Sequence, residues 1–174
     1  MISVENNASQ FIKENPVSEK LYFTKRGLSK LQNEIEKLEK ALQHLQSQVA
    51  HVAEVGGNQW HDNASYDALV IDIRGADWRL GQAMQSLKQA VLVSPPVNFD
   101  HVAIGTRVKL SCDGEEMIFE VAGYGEFDKE LELIAYNTPL VSPIMGKAAG
   151  ETVTCYIGGK KTELKILEIS KGGE

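Results

Sequence analysis

The stretch Leu28–Val55, LSKLQNEIEKLEKALQHLQSQVAHVAEV, decides the fold of the first half of the chain. Its apolar residues recur in steps of three and four, at Leu28, Leu31, Ile35, Leu38, Leu42, Leu45, Val49, Val52 and Val55. Such a heptad seam turns one stripe of a helix toward a partner helix. Thr24 is the predicted N-cap, because its hydroxyl can accept a hydrogen bond from a first-turn amide. The pattern predicts a helical arm of about 28 residues, roughly 40 Å long.

A second heptad pattern supplies the partner helix. Its members are Tyr66, Leu69, Ile73, Ala76, Leu80, Ala83, Leu87 and Ala90. Asp62 or Asn63 is the predicted N-cap of this helix. The glycines Gly56–Gly57 permit a sharp reversal, and short loops between helices give antiparallel neighbours. The sequence therefore predicts an antiparallel coiled-coil hairpin over residues 21–92, with its tip at 56–63.

After Asp100 the apolar period changes to two, which is typical of strands. The predicted strands are Thr106–Ser111, Glu116–Val121, Leu131–Ala135, Thr152–Ile157 and Thr162–Ile169. Pro95–Pro96 stops the preceding helix and stiffens a linker at 93–100. Residues Pro139–Lys147 are too broken for a strand and indicate a short helical turn. We therefore expect a small antiparallel β domain over residues 101–174, and an α+β fold overall.

Composition narrows the function classes. The 174 residues carry a formal net charge of −6, so the basic footprint of a free-standing nucleic-acid binder is absent. No apolar run is long enough to span a membrane, and the polar N-terminus, residues 1–20, lacks a secretory signal. We interpret this segment as a flexible extension and the protein as cytoplasmic. Cys112 and Cys155, far apart and outside any zinc spacing, are interpreted as small core residues.

The hairpin tip, Asn58-Gln59-Trp60-His61-Asp62-Asn63, is the densest polar cluster in the sequence. Asp62 and His61 are too few ligands for a self-sufficient zinc site. Magnesium is commonly held by one or two carboxylates together with waters and substrate phosphates. Asp62 is thus a candidate metal ligand only within a site that another protein mostly supplies, or else simply a helix cap. Trp60 is a candidate contact anchor, or a ring folded back over the hairpin end.

The second helix also carries a candidate RNA contact. Arg74 and Arg79 lie off the seam, with Lys88 further along, and could meet phosphates of RNA. The alternative is an ordinary solvated charged face.

Three segments carry a resemblance to a known family. They are Thr24-Lys25-Arg26-Gly27-Leu28, then Asn63-Ala64 with Tyr66, then Asn137-Thr138-Pro139-Leu140 followed by Ile144-Met145-Gly146-Lys147 and Gly150-Glu151. In these segments, and in their order from about Leu21 to Ser170, the chain resembles the Gre transcript cleavage factors.

The resemblance implies a fold and a mode of action. The β domain would be FKBP-like with a short helix, and Asn137, Thr138 and Pro139 would contact bacterial RNA polymerase at the rim of its secondary channel. The coiled coil would thread that channel toward the catalytic magnesium and meet nascent RNA and DNA only through the polymerase. Two acidic tip residues would help to hold a second metal ion for transcript hydrolysis. The factor would be a monomer without an intrinsic cofactor, and an accessory factor rather than an enzyme.

The tip departs from the family pattern Asp-x-x-Glu-Asn-Ala. Anchored on Asn63-Ala64, the second acid falls on Asp62, and the first falls on Gln59, or on Asn58 in a longer loop. A neutral amide is a weaker magnesium ligand than a carboxylate. The sequence thus leaves open reduced cleavage stimulation, a non-cleaving regulator in the secondary channel, and a coiled-coil scaffold that pairs with another chain. His61 could handle a proton or contact the transcript.

Overall fold

The fold is given by a computed structural model that describes residues 20–55 and 63–173. The extension up to residue 19 and most of the hairpin tip, residues 56–62, lie outside the described residues, and so do the predictions made for them.

Three helices build the hairpin: α1 Lys25–Ser47, α2 Val49–Val55 and α3 Ala64–Lys88. Both α1 and α2 pack against α3. The seam residues Ile35, Leu69 and Ala76 are buried, and the positions between seam residues are mostly exposed. The predicted antiparallel hairpin is confirmed, and its seam closes within the chain.

Both predicted caps have a clear outcome. The Thr24 hydroxyl accepts a hydrogen bond from the Gly27 amide at 3.0 Å, so Thr24 caps α1. Of the two candidates for α3, Asn63 is the cap, because its Oδ1 accepts a hydrogen bond from the Tyr66 amide at 3.1 Å. The first turn of α3 therefore needs no cap from Asp62.

The first arm of the hairpin is interrupted at Gln48, between α1 and α2. The Ser47 hydroxyl donates to the His44 carbonyl at 2.7 Å, and the Gln48 amide donates to the Leu45 carbonyl at 3.2 Å. Serine side chains compete for backbone carbonyls in this way, and a bond three residues back tightens the turn. The heptad pattern did not reveal the break, because it records side-chain spacing and not backbone hydrogen bonding. Ala90 likewise lies past the end of α3.

A two-stranded parallel sheet closes the base of the hairpin. Its strands are β1 Leu21–Phe23 and β2 Ala90–Leu92, paired from Leu21 with Ala90 to Phe23 with Leu92. The Leu21 amide donates to the Gln89 carbonyl at 3.0 Å, and the Val93 amide donates to the Phe23 carbonyl at 2.9 Å. The two ends of the hairpin are thereby tied together where they meet the second half of the chain.

The β domain is a six-stranded sheet. Its strands are β3 Thr106–Cys112, β4 Glu115–Ala122, β5 Phe127–Asp128, β6 Leu133–Ala135, β7 Thr152–Ile157 and β8 Lys160–Lys171. Their order is β5-β6-β4-β3-β8-β7, and neighbours are antiparallel except the parallel pair β4–β6. The predicted short helical turn is a 3-10 turn at Ser142–Ile144. The α+β prediction is confirmed, with β5 as a short strand that the pattern did not reveal.

One face of the sheet carries the core. Val108 and Leu110 of β3 and Leu164 and Ile166 of β8 are fully buried, and Ile144 of the 3-10 turn packs onto them. The turn is therefore fixed against the sheet by apolar burial. This packing holds the segment that contains Asn137 in a defined place.

The two cysteines lie on either side of β8. Cys112 pairs with Leu164 and Cys155 with Thr162, and both are free, half-buried thiols. Burial, together with the nearby Cys112 and Asp113, raises the pKa of the Cys155 thiol. A raised pKa leaves little of the reactive thiolate at neutral pH.

Candidate functional site

The candidate partner-binding residues lie on a rigid turn. The Thr138 hydroxyl donates to the Ala135 carbonyl at 2.9 Å and accepts from the Val141 amide at 3.3 Å. The Thr138 carbonyl also accepts from the amides of Val141 and Ser142. The Thr138 side chain is thus engaged in building the turn, whereas Asn137 and Pro139 are exposed. A partner would contact Asn137 and Pro139 directly, whereas Thr138 would act only by holding these two residues in place.

The downstream motif residues hold this turn to the rest of the β domain. Gly146 and Gly150 adopt positive φ angles, 75° and 88°, that other residues rarely adopt. The Gly146 amide donates to the Val102 carbonyl at 2.8 Å. Lys147 Nζ lies 3.2 Å from Glu151 Oε2. The Gly-Lys and Gly-Glu pairs are therefore structural in this chain.

Glu151 is the acceptor that ties this segment together. Its Oε1 accepts a hydrogen bond from the Ala148 amide at 2.8 Å. This bond, and then the neighbouring Lys147, hold the pKa of the Glu151 carboxyl below its ordinary value. The carboxylate is therefore charged at neutral pH, which suits its role as an acceptor.

A groove of about 990 Å³ runs between α3 and the turn. Asn137 lines it together with Gln85 of α3, Tyr136 and Met145. Among its lining residues, the rings of Tyr22 and Tyr136 meet edge to face, with centroids 5.9 Å apart. The exposed side of the turn therefore continues into a partly apolar groove, and a polypeptide segment could occupy both.

The end of the hairpin is tied across its two arms by one side chain. Asn63 Nδ2 donates to the Val52 carbonyl of α2 at 3.1 Å, while its Oδ1 caps α3. Asn63 therefore fixes the point from which the tip extends. The tip candidates themselves lie outside the described residues; they are Asn58, Gln59, Trp60, His61 and Asp62.

No group of three or more His, Cys, Asp or Glu side chains between 20 and 55 or between 63 and 173 could hold a metal ion. No helix in these ranges is long and apolar enough to cross a membrane.

The two candidate RNA-contact arginines do not form one patch. Arg74 and Arg79 are both exposed on α3. A five-residue step on a helix of 3.6 residues per turn separates their directions by about 140°. Arg79 borders a cleft of about 660 Å³ between the hairpin and β5, whereas Arg74 lies on the other side of α3. A shared phosphate contact through both arginines is therefore disfavoured by helix geometry.

The cleft beside Arg79 contains side chains that sequence reasoning missed. Trp78 is 66% exposed and Phe127 is 72% exposed at its border, and Lys30 of α1 also lines it. Trp78 lies between the seam positions Ala76 and Leu80 and gave no separate signal. Phe127 lies in a two-residue strand that no periodicity could indicate.

A buried carboxylate at the hairpin base was also missed. Glu126 is 6% exposed, and Thr24 Oγ1 donates to its carboxylate, at 2.8 Å from Oε1. The Gly123 amide donates to the same oxygen at 3.1 Å. Arg26 Nε lies 3.7 Å from Oε2. No local pattern signals the contact between Glu126 and Thr24, because the two residues are about a hundred positions apart.

The chain is similar to transcription elongation factors both through a family model and through individual relatives. Residues 96–171 match the family model "Transcription elongation factor, GreA/GreB, C-term". The chain is 29% identical over 149 residues to the transcription elongation factor GreA of a Nitratiruptor species, covering 84% of this chain and 90% of the relative. It is 27% identical over 158 residues to GreA of Caldanaerobacter subterraneus subsp. tengcongensis, covering 89% of this chain and 100% of the relative.

Solved structures include a similar chain. The crystal structure of GreA factor homolog 1 (Gfh1) of Thermus thermophilus is 18% identical, covers 87% of this chain and 99% of that chain, and has a TM-score of 0.41. The sequence relatives span nearly the whole chain, so the similarity includes the hairpin and the β domain together.

Proposed function

Since the family match and the GreA relatives support a Gre-family transcription elongation factor, we propose that this chain binds RNA polymerase and inserts its hairpin into the secondary channel. There it acts on backtracked or paused complexes. It is an accessory factor in the cytoplasm, and contact with RNA and DNA is made through the polymerase.

One observation carries the proposal. Asn137 and Pro139 are exposed on a turn that its own hydrogen bonds and the core hold rigid, beside an open groove. Interfaces of this kind combine preformed backbone with exposed anchors, which limits the entropy lost on binding. The segment that resembles the family motif and the exposed side chains of Asn137 and Pro139 therefore lie on the same turn.

The hairpin fits the second part of the proposal. The apolar seam of the hairpin is buried by packing between α1, α2 and α3. The outer surface of the hairpin is therefore mostly polar, which suits a water-filled channel. With a rise of 1.5 Å per residue, α1 alone is roughly 35 Å long. It can therefore carry a tip far from the docking turn.

The tip chemistry favours reduced cleavage stimulation. Asp62 would lend one carboxylate to the second magnesium ion, whereas Gln59 or Asn58 would offer a neutral amide. Metal-assisted hydrolysis depends on charge at this ion, so the ion would be held less tightly. A non-cleaving regulator that acts by occupying the channel is the second candidate, favoured by the same missing acid.

Transcript cleavage in stalled, backtracked polymerase complexes tests the proposal. We expect weak cleavage that needs more magnesium than an acidic-tip homologue requires, and that is lost in Asp62→Ala. Absence of cleavage, combined with competition against such a homologue, would favour the non-cleaving regulator. Absence of any affinity for RNA polymerase would refute both.

A docking variant sharpens the test. Asn137→Ala with Pro139→Ala removes the two exposed side chains of the turn and should weaken polymerase binding at least tenfold, on the order of the loss of an interface anchor. Thr154→Ala, at an exposed position on the edge strand β7, is the matched control and should bind normally. Equal binding by both variants would show that the turn is not the docking surface.

A further inference from the structure

The junction between the hairpin and the β domain is built around Glu126. It follows β4 and precedes β5, and it is the one charged residue among the buried side chains of the described ranges. A carboxylate removed from water costs several kcal/mol, on the order of the values for unpaired ions, unless hydrogen bonds replace the lost water. The partners of Glu126 therefore indicate what the burial achieves.

Those partners come from both sides of the junction. From the hairpin, the Thr24 hydroxyl lies 2.8 and 2.9 Å from the two carboxylate oxygens, and the Thr24 amide lies 3.3 Å from Oε1. From the β domain, the Gly123 amide donates at 3.1 Å. Thr24 is at the same time the cap of α1. The Glu126 carboxylate thus joins Thr24, at the start of α1, to Gly123 in the loop between β4 and β5.

Two glycines make room for this arrangement. A side-chain carbon added at Gly27 or at Gly123 would overlap the Glu126 carboxylate. At Gly123 it would also lie 2.7 Å from the Thr24 amide nitrogen, which belongs to the backbone and cannot rotate away. Gly123 does not have a positive φ, so the close approach, and not the backbone conformation, requires glycine here.

The position of this contact matters because the arm is long. For an arm of roughly 35 Å, a tilt of about 10° at its base would move the far end by about 6 Å. A misplacement of about 1 Å can cost a hundredfold in a reaction that depends on geometry. A small range of motion at the base of the hairpin would therefore displace the tip from any site that it completes.

We propose that Glu126 is a positioning residue, which sets the direction of the hairpin relative to the β domain through Thr24 and so determines where the tip lies once the β domain is docked. The inference rests on the proposed function for its consequence, but the positioning itself is a property of the free protein.

The free protein therefore gives the first test. Spin labels at Gln43→Cys in α1 and Lys161→Cys in β8, in a chain that carries Cys112→Ser and Cys155→Ser, report the distance between arm and sheet. We expect one narrow distance distribution, and at least about a twofold broadening in Glu126→Gln, because glutamine loses the negative charge and replaces one acceptor oxygen with an NH₂ group that only donates. Glu126→Asp keeps the charge but is shorter, and should broaden the distribution as well.

Glu116→Gln is the matched control. It removes a carboxylate from an exposed pair with Lys109, 2.8 Å apart, on the same sheet. Its distance distribution should equal that of the parent protein. Unchanged distributions in both Glu126 variants would overturn the assignment.

The polymerase assay gives the second test. Glu126→Gln should bind RNA polymerase within about threefold of the parent, since Asn137 and Pro139 are untouched, but should lose about tenfold or more of its effect on backtracked complexes. A loss of binding equal to the loss of effect would overturn the positioning role. If the parent chain itself does not bind polymerase, the proposed function fails while the distance measurement still decides the role of Glu126.

Discussion

At the scale of single residues, the glycines of the helices have opposite roles. Gly27 lies in the first turn of α1 against the Glu126 carboxylate, whereas Gly81 of α3 has open space around it. Alanine in a helix is ordinarily more stable than glycine by about 0.5–1 kcal/mol. We expect Gly81→Ala to raise the free energy of unfolding by about that amount, measured by urea denaturation with circular dichroism.

Gly27→Ala should do the reverse. The added methyl group forces the Glu126 carboxylate out of its place and breaks its bonds to Thr24 and Gly123, at a cost of roughly 1–3 kcal/mol for a buried charged acceptor. The same urea denaturation should therefore show a loss of stability. A gain in Gly27→Ala equal to that in Gly81→Ala would contradict the close contact at Glu126.

At the scale of elements, the end of the hairpin depends on Asn63. Asn63→Ala removes the cap of α3 and the bond to the Val52 carbonyl, each worth about 1 kcal/mol. Asn63→Ser retains a capping hydroxyl but cannot reach across to α2. We therefore expect the serine variant to recover about half of the stability lost in the alanine variant, measured by thermal unfolding followed by circular dichroism. Equal losses in the two variants would show that the bond between the arms contributes nothing.

The elements also show what the sequence could predict. Long heptad patterns identified the hairpin, because many apolar residues report one buried stripe. The same pattern did not indicate the break at Gln48, because that break involves the hydroxyl of one residue, Ser47. The short strands β1, β2 and β5 gave no period, whereas the equally short β6 lies inside the predicted strand Leu131–Ala135.

The candidate site shows a similar division. Asn137 and Pro139 were predicted from a local motif, and the structure adds that Thr138 is engaged in the turn. The role of Glu126 could not be predicted, because it arises where Thr24 and Gly123 meet in space. Residues that join two distant parts of a chain leave no local pattern, so only the fold reveals them.

At the scale of the whole molecule, the closed seam bears on whether the coiled coil pairs with another chain. Ile35, Leu69 and Ala76 are buried within one hairpin, so a scaffold that dimerised through this seam would first have to open it. Opening would expose the apolar stripe to water, at about 25 cal/mol for each Å². The buried seam therefore argues against a dimer formed through these residues.

Replacement of Leu69 separates a monomer from a seam dimer. In a monomer, Leu69→Ala should destabilise the hairpin by about 2–5 kcal/mol without a change in mass, because the cavity lies inside one chain. Light scattering should give the 19.2 kDa of a single chain for parent and variant alike. Ile71→Ala is the matched control, since Ile71 is 68% exposed on the same helix and its truncation should change stability by less than about 0.5 kcal/mol. A parent mass near twice that of the chain, falling to the mass of one chain in Leu69→Ala but not in Ile71→Ala, would instead establish the seam as a dimer interface. That result would favour the scaffold, because an arm already paired with another copy would be too wide to enter a channel alone.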